Sequence, residues 1–269
     1  MRRPIKPRYL PVAALLLAAS VAVPAEYAAA DDGDVYLTTL RAAVASLPVA
    51  EENNGGYKRN LFKHWTDDDH DGCPTRSEVL QEEAHAAVTT EPGCKVTGGL
   101  WLSYYDGQEF TDPSKLDIDH VVPLSESWGS GASRWTAHRR ELYANDLGDP
   151  RALVAASAAQ NRAKGDKDPS QWLPADTSVH CQYIGEWTAI KLRWGLSADQ
   201  REYTTLNQIA ATCPDSKLGV ILAPPEDAAD SQVPLKDGHP RRKQGEPRRV
   251  ALPGWHLCQL KQGDSSLAG

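Results

Sequence analysis

The architecture of this chain is set by one stretch of sequence, Leu116-Asp117-Ile118-Asp119-His120-Val121-Val122-Pro123. Its apolar residues predict a β-strand over residues 116–122, and Pro123 ends it because proline lacks the backbone N–H that a sheet requires. Adjacent side chains of a regular strand point to opposite faces. Asp119 and His120 can therefore serve one site only if the strand bends or ends at that point.

A second stretch, farther along the chain, predicts the partner of this strand. Residues 152–155 read as a short buried strand that runs into Ser157-Ala158-Ala159-Gln160-Asn161-Arg162-Ala163-Lys164-Gly165. Ser157 and Gln160 form a capping box, which predicts a short helix directly after Ser157. Gly165 suits the left-handed geometry of a helix end. The predicted order is strand, long loop, strand and short helix.

Together the two stretches resemble the HNH, or His-Me finger, endonuclease family, and more specifically its secreted bacterial branch. The resemblance is carried by Asp119-His120-Val121-Val122-Pro123, by Tyr143-Ala144-Asn145-Asp146 and by Asn161-Arg162-Ala163-Lys164-Gly165-Asp166-Lys167-Asp168. It runs from about Tyr57 to Cys213. It implies an α+β fold in which a ββα-metal core is embedded in a mainly helical, disulfide-pinned single domain.

The same resemblance implies a chemistry. The protein would be a secreted, metal-dependent endonuclease that hydrolyses phosphodiester bonds of DNA, or of RNA, by a one-metal mechanism. His120 would be the general base, while Asp119 and Asn161 would hold Mg²⁺ or another divalent cation. These residue types suit the reaction, because a neutral imidazole can accept a proton from water and hard oxygen ligands suit Mg²⁺.

One position departs from the family pattern. The middle Asn of the family, which braces the metal-site loop, is expected where Ala152 stands. Asn145 is the candidate for that bracing role, and the alternative is that the brace is absent.

Basic residues on the predicted helix are candidates for substrate contact. The functional reading of Arg162, Lys164 and Lys167 is phosphate binding, and the alternative is a solvated polar helix face. The formal net charge of -7 argues against a protein that coats duplex nucleic acid, because non-specific affinity comes mostly from Lys and Arg. Nucleic acid is therefore expected as a substrate.

An acidic segment ahead of this core matches the spacing of an EF-hand calcium loop. Arg76, inside the same segment, could instead neutralise charge at the active site. Pro74 and Cys73 are unusual in such a loop. The candidate ligands of a structural Ca²⁺ are Asp67, Asp69, Asp71 and Glu78.

The ends of the chain carry their own signals. Basic residues, an apolar run and a closing Ala28-Ala29-Ala30 predict a signal peptide over residues 1–30. We therefore expect a secreted, extracellular protein with no stable membrane association after signal cleavage, and assume a monomer. The nuclease-like domain is expected over residues 31–216, and composition predicts a poorly ordered tail over residues 217–269.

Export favours disulfides for the cysteines. Cys73 with Cys94 and Cys181 with Cys213 are the pairings adjacent in sequence, although four cysteines allow three connectivities. Cys258 is left over.

Further periodic patterns predict the remaining elements. One helical face is expected to carry Tyr36, Leu40, Val44 and Leu47. Residues 100–111 read as a β-hairpin around Asp106-Gly107. A core-facing helix is expected to end at Gly195, and Ser197 with Gln200 predicts the cap of the next one.

A different class of function is also compatible with the sequence. The chain could be a calcium-stabilised extracellular binding module without catalysis, whose aromatic residues contact glycan or protein. Such a module predicts no metal-dependent hydrolysis, which separates it from the nuclease hypothesis.

Overall fold

The computed structural model of the protein describes residues 35–224. The predicted signal peptide and the predicted tail beyond residue 224 lie outside the described residues. The structure combines helices with small antiparallel sheets, which is the expected α+β class.

A strand–strand–helix unit lies at the centre of the described fold. Strand β6 (Leu116–His120) pairs antiparallel with β7 (Leu153–Ser157), and Asp119 lies opposite Val154. Helix α5 (Ala158–Lys164) follows β7 directly, with the Ser157 side chain accepting from the Gln160 amide. The predicted order of elements is confirmed, although β6 ends at His120 rather than at residue 122.

Two small antiparallel pairs flank this unit. Strand β2 (Thr89–Glu91) pairs with β3 (Lys95–Gly98), and β4 (Trp101–Ser103) pairs with β5 (Gln108–Phe110). The β4–β5 pair is the predicted hairpin. Its turn uses Gly107 at φ 66°, a conformation that glycine adopts without steric strain.

The first and last described strands correct two expectations. Strand β1 (Val35–Thr39) contains Tyr36, which was expected on a helix, and α1 begins only at Leu40 (Leu40–Ser46). The partner of β1 is β8 (Lys217–Ile221), which lies in the segment expected to be a tail. The ordered part therefore extends past residue 216, because the two ends of the domain pair with each other across the fold.

The other helices surround the central unit. They are α2 (Thr75–Glu82), α3 (Leu124–Gly129), α4 (Ala137–Ala144), α6 (His180–Trp194) and α7 (Gln200–Thr212), with short 3-10 turns at Arg59–Leu61, Pro113–Lys115, Ala132–Arg134 and Thr177–Val179. Helix α6 ends at Gly195, as predicted. Helix α7 is capped by Asp199 and not by Ser197, because the Asp199 carboxylate accepts from two backbone amides of the first turn.

The core is built largely from the aromatic stripe of α6. Tyr183, Trp187 and Ile190 are buried there in the main hydrophobic cluster of the domain. Burying each such side chain contributes about 1.5–3 kcal/mol. The stripe therefore serves core packing rather than ligand binding.

A buried charge cluster ties α6 to its neighbours. Lys191 Nζ lies 2.6 Å from Glu126 of α3 and 2.6 Å from Glu202 of α7, and 3.8 Å from Glu52. Three carboxyl groups thus lie around one ammonium group in a water-poor environment.

Two disulfides pin the domain. They join Cys73 to Cys94 and Cys181 to Cys213, the pairings adjacent in sequence. Among residues 35–224, no helix is long and apolar enough to span a lipid bilayer.

Candidate active site

The Asp119 carboxylate is buried and fully engaged. Its Oδ1 accepts from Lys164 Nζ at 3.0 Å, and its Oδ2 accepts from the Tyr105 hydroxyl at 2.7 Å. Burial raises the pKa of Asp119 and lowers that of Lys164, while their mutual attraction opposes both shifts. Lys164 itself is 0% exposed. The structure therefore places this lysine inside the domain, and not at a surface where phosphate could reach it.

His120 lies at the end of β6 in an aromatic environment. Its Nε2 is 2.9 Å from the carbonyl oxygen of Ala144. Because a carbonyl can only accept, Nε2 must carry the proton, which leaves the lone pair on Nδ1. Burial lowers the pKa of His120 to about 3, and the positive charges of Arg59 and Lys164 act in the same direction. The imidazole is therefore neutral at neutral pH.

Asn145 joins three parts of the site. Its Oδ1 accepts from the Thr66 amide and the Thr75 hydroxyl, each at 3.0 Å. Its Nδ2 donates to the carbonyls of Lys63 at 2.9 Å and Glu141 at 2.8 Å. The carboxamide thus clamps residues 63–75 onto the end of α4. The adjacent Ala144 carbonyl is the one that holds His120.

The Asn161 side chain contacts Asp117 and not Asp119. Its Nδ2 lies 3.1 Å from Asp117 Oδ2, and the Asp117 side chain is 36% exposed. Asp117 and Asp119 are two residues apart on β6 and so share a face, with α5 packed over it. The pairing of Asn161 with Asp119 expected from the sequence is therefore replaced by a pairing with Asp117.

These oxygens can be tested for fit to a metal ion. Mg²⁺ takes octahedral ligands at about 2.0–2.1 Å, so neighbouring ligand atoms are about 3 Å apart. Asn161 Nδ2 donates a hydrogen bond of 3.1 Å to Asp117 Oδ2, so the two side chains meet at about that spacing, and the carboxamide oxygen would have to replace the nitrogen for both to bind an ion. Asp119 is a poorer candidate ligand for a metal ion, because its two carboxylate oxygens already accept hydrogen bonds from Lys164 and Tyr105. Asp117 and Asn161 fit a hard cation better than Asp119 and Asn161 do.

The two other basic candidates lie on the surface. Arg162 is 78% exposed, with its Nε 3.9 Å from Asp117. Lys167 is exposed and donates to the Ala163 carbonyl at 2.7 Å, near the end of α5. Arg76 instead donates to the carbonyls of Pro113 and Leu116, so it braces the start of β6.

The acidic segment forms a compact loop ahead of α2. Carboxylate oxygens of Asp67, Asp69 and Asp71 lie within 4.8 Å of one another. Asp67 Oδ2 accepts from the Gly72 amide at 3.1 Å, and Gly72 has φ 91°. Glu78, the fourth candidate ligand, lies in the first turn of α2. The Cys73–Cys94 disulfide anchors the loop to the chain just before β3.

Two side chains at the site were not expected from the sequence. Tyr105 binds Asp119, and Trp65 lies 5.6 Å from His120 between ring centroids. Neither residue sits within the motifs that carry the family resemblance. The position of Tyr105 at the hairpin turn before β6 was the only available signal.

Comparisons with known proteins agree with a nuclease-like domain. The family model of the GmrSD restriction endonucleases, C-terminal domain, matches residues 81–209. That segment contains Asp119, His120, Asn145 and Asn161 but not the acidic loop. No solved structure matches the chain.

A relative extends this agreement beyond the matched segment. A protein of Arthroderma benhamiae, described as an uncharacterized secreted protein, is 38% identical over 177 residues, which cover 65% of this chain and 85% of that protein. The relative is fungal, so it gives no support to the expected restriction to bacteria. The chain therefore belongs to the same family as this secreted Arthroderma protein, and its residues 81–209 support assignment to a nuclease family.

Proposed function

We propose that this protein is a secreted endonuclease of the HNH type that hydrolyses phosphodiester bonds with His120 as the general base. The family match supports a nuclease and hence a nucleic acid substrate, and the secreted relative supports export. The strand–strand–helix unit formed by β6, β7 and α5 supports the HNH type.

The observation that carries the proposal is the hydrogen bond between His120 Nε2 and the Ala144 carbonyl. It fixes the tautomer whose Nδ1 is free to accept a proton. In the proposed reaction, Nδ1 takes a proton from water, and the resulting hydroxide attacks phosphorus. The bond from phosphorus to the 3′ oxygen then breaks, and that oxygen takes a proton from solvent, which leaves a 3′ hydroxyl and a 5′ phosphate. The imidazolium returns its proton to water. Asn145 positions the base, because it holds the end of α4 that carries the Ala144 carbonyl.

A divalent cation would bind on the Asp117 and Asn161 side of β6. When bound, it would supply charge stabilisation to the phosphate and to the leaving oxygen. Arg162 and Lys167 are the exposed cations available to the phosphates of the substrate. Lys164 instead keeps the Asp119 carboxylate in place from within the domain.

The base assignment is tested by replacing His120. The His120→Ala variant should lose cleavage of plasmid DNA and of RNA in Mg²⁺, because alanine has no proton acceptor to replace the neutral imidazole. Its cooperative thermal unfolding should be retained. His85→Ala, on an exposed histidine, is the matched control and should cleave at the wild-type rate. Wild-type turnover by His120→Ala would show that His120 is not the general base. Cleavage that persists in EDTA would show that the reaction does not require a divalent cation.

The cation site is tested without nucleic acid. Calorimetric titration with Mn²⁺ should show weaker binding in Asp117→Asn and Asn161→Ala than in the wild type. Wild-type affinity in Asp117→Asn, together with weaker binding in Asp119→Asn and Asn161→Ala, would return the site to the pairing expected from the sequence.

The acidic loop supports a second, structural cation, which we take to be Ca²⁺. Asp67 Oδ1 is buried and has no hydrogen-bond partner among residues 35–224, and it lies with the oxygens of Asp69 and Asp71. Millimolar CaCl2 should raise the melting temperature, because a ligand that binds only the folded state stabilises it. Asp69→Asn should reduce the rise. An unchanged midpoint in the wild type would exclude calcium.

The same loop favours the alternative of a calcium-stabilised binding module without catalysis. The two functions separate cleanly. A calcium-dependent rise in melting temperature with no cleavage of DNA or RNA in Mg²⁺ would support the module and exclude the nuclease.

A further inference from the structure

Trp65 adopts a backbone conformation that is unusual for a bulky residue. Its φ is 61°, in the left-handed region. This conformation costs of order 1–3 kcal/mol and persists only where the surrounding structure holds it. Asn145 supplies that hold, because it donates to the Lys63 carbonyl at 2.9 Å and accepts from the Thr66 amide at 3.0 Å. The residues on both sides of Trp65 are thus fixed by one carboxamide.

The effect of this conformation is to hold an indole ring beside the proposed base. The Trp65 and His120 rings are 5.6 Å apart between centroids and tilted by 32°. The Trp65 side chain is half-buried, so part of the ring faces solvent. Its indole N–H has no hydrogen-bond partner among the described residues, whereas the indole N–H of Trp101 donates to the Leu80 carbonyl. Both a ring surface and a donor therefore remain for a ligand.

Exposed cations lie close to Trp65 in sequence, ahead of the acidic loop that begins at Asp67. Lys58 and Arg59 are exposed, and the charge of Arg59 is near enough to lower the pKa of His120. Lys63 is exposed as well and pairs with Glu141 at 2.6 Å. A half-buried aromatic ring beside a proton acceptor, with the charge of Arg59 near that acceptor, has the composition of a platform that stacks a base while its backbone phosphates are bound.

We propose that Trp65 stacks on an unpaired nucleobase adjacent to the phosphodiester attacked at His120, so that the site takes single-stranded DNA or RNA in preference to duplex. This inference rests on the proposed function. In a duplex both faces of each base are covered by its neighbours, so a tryptophan can stack only on a base that has left the helix. The aromatic platform therefore discriminates by strandedness and not by sequence.

Binding in EDTA tests the platform without cleavage. Fluorescence anisotropy would compare labelled dT12, U12 and a 12-base-pair DNA duplex at one salt concentration. We expect the wild type to bind dT12 or U12 at least about tenfold more tightly than the duplex, and Trp65→Ala to lose about tenfold on the single strands alone. Comparison of dT12 with U12 shows which sugar is accepted.

Two further variants protect the test against a folding defect. Trp65→Phe keeps a stacking ring and should retain most of the affinity for single strands. Tyr36→Ala, on an exposed aromatic of β1, should bind like the wild type. Equal wild-type affinity for single strands and duplex, no binding to any probe, or unchanged affinity in Trp65→Ala would each overturn the inference.

The outcome is separable from that of the proposed function. Single-strand binding that depends on Trp65, without cleavage in Mg²⁺, would refute the nuclease and leave the platform standing. Cleavage that requires His120, but does not depend on Trp65 or on whether the substrate is single-stranded, would support the nuclease and refute the stacking platform.

Discussion

Lys164 of α5 places its buried ammonium 2.7 Å from the Asp119 carboxylate of β6. The same nitrogen donates to the His120 carbonyl at 2.8 Å. One side chain therefore holds the strand end that carries both candidate residues. A positive charge at this position also compensates a carboxylate that is almost completely removed from water.

Replacing Lys164 should destabilise the domain strongly. Lys164→Met leaves the Asp119 charge buried without its partner, which should lower the free energy of unfolding by about 3–5 kcal/mol. Urea unfolding would measure the change. Lys167→Met, three residues away on the surface, should stay within about 0.5 kcal/mol of the wild type. A loss for Lys164→Met as small as that of the control would show that the ion pair contributes little.

Asn145 should contribute more to the free energy of unfolding than an asparagine that makes a single hydrogen bond. Asn145→Ala removes four hydrogen bonds, each contributing about 0.5–1.5 kcal/mol, so a loss of about 2–6 kcal/mol is expected. Asn207→Ala removes a single bond to the Tyr203 carbonyl and serves as the control. Hydrogen exchange of the Thr66 amide should accelerate only in Asn145→Ala. Unchanged protection there would contradict the clamp.

His120 should make stability depend on acid pH. Its folded pKa of about 3 lies below the unfolded value of about 6.5, so folding excludes a proton. The contribution of His120 is therefore complete above pH 6.5 and declines as the pH falls towards 3. Melting temperatures between pH 7 and pH 4 should fall more in the wild type than in His120→Gln. An NMR titration of the ring with a midpoint near 6.5 would rule out this environment.

Glu52 should make the stability of the fold decline as the pH rises, whereas His120 makes it decline as the pH falls. Burial raises the pKa of Glu52 to about 9, and the hydrogen bond that protonated Glu52 donates to Glu126 and the repulsion between the two charged carboxylates act in the same direction. The folded state then holds a proton that the unfolded chain releases above pH 4.5, so stability declines between pH 4.5 and pH 9. Glu52→Gln should flatten that decline, as measured by chemical unfolding at several pH values. Glu51→Gln, on the exposed neighbour, should keep the wild-type slope.

Several elements of the site could be predicted from neighbouring residues alone. The Ser157 cap, the Gly165 end of α5 and the apolar strands around Asp119 depend on chemistry within a few positions. The cap and the helix end occur at the predicted residues, whereas the strands occur with shifted bounds. The hairpin at Gly107 and the end of α6 at Gly195 follow the same logic, since each requires a backbone conformation that glycine adopts easily.

The partners of the charged and polar groups could not be predicted in this way. Asp119 meets Lys164 across 45 residues, and Asn145 meets Thr66 across 79. Tyr36 shares a helical periodicity with Leu40 and Val44, yet it lies on a strand, because β8 at the other end of the described residues pairs with its segment.

By itself, the sequence determined the local elements and the chemical types gathered near β6. Only the tertiary structure decided that Lys164 faces inward, that Asn161 meets Asp117, and that Trp65 lies against His120. The physical reason is that a local pattern reports the conformation of a segment, whereas the partner of a buried charge or ring depends on which distant segment packs over it.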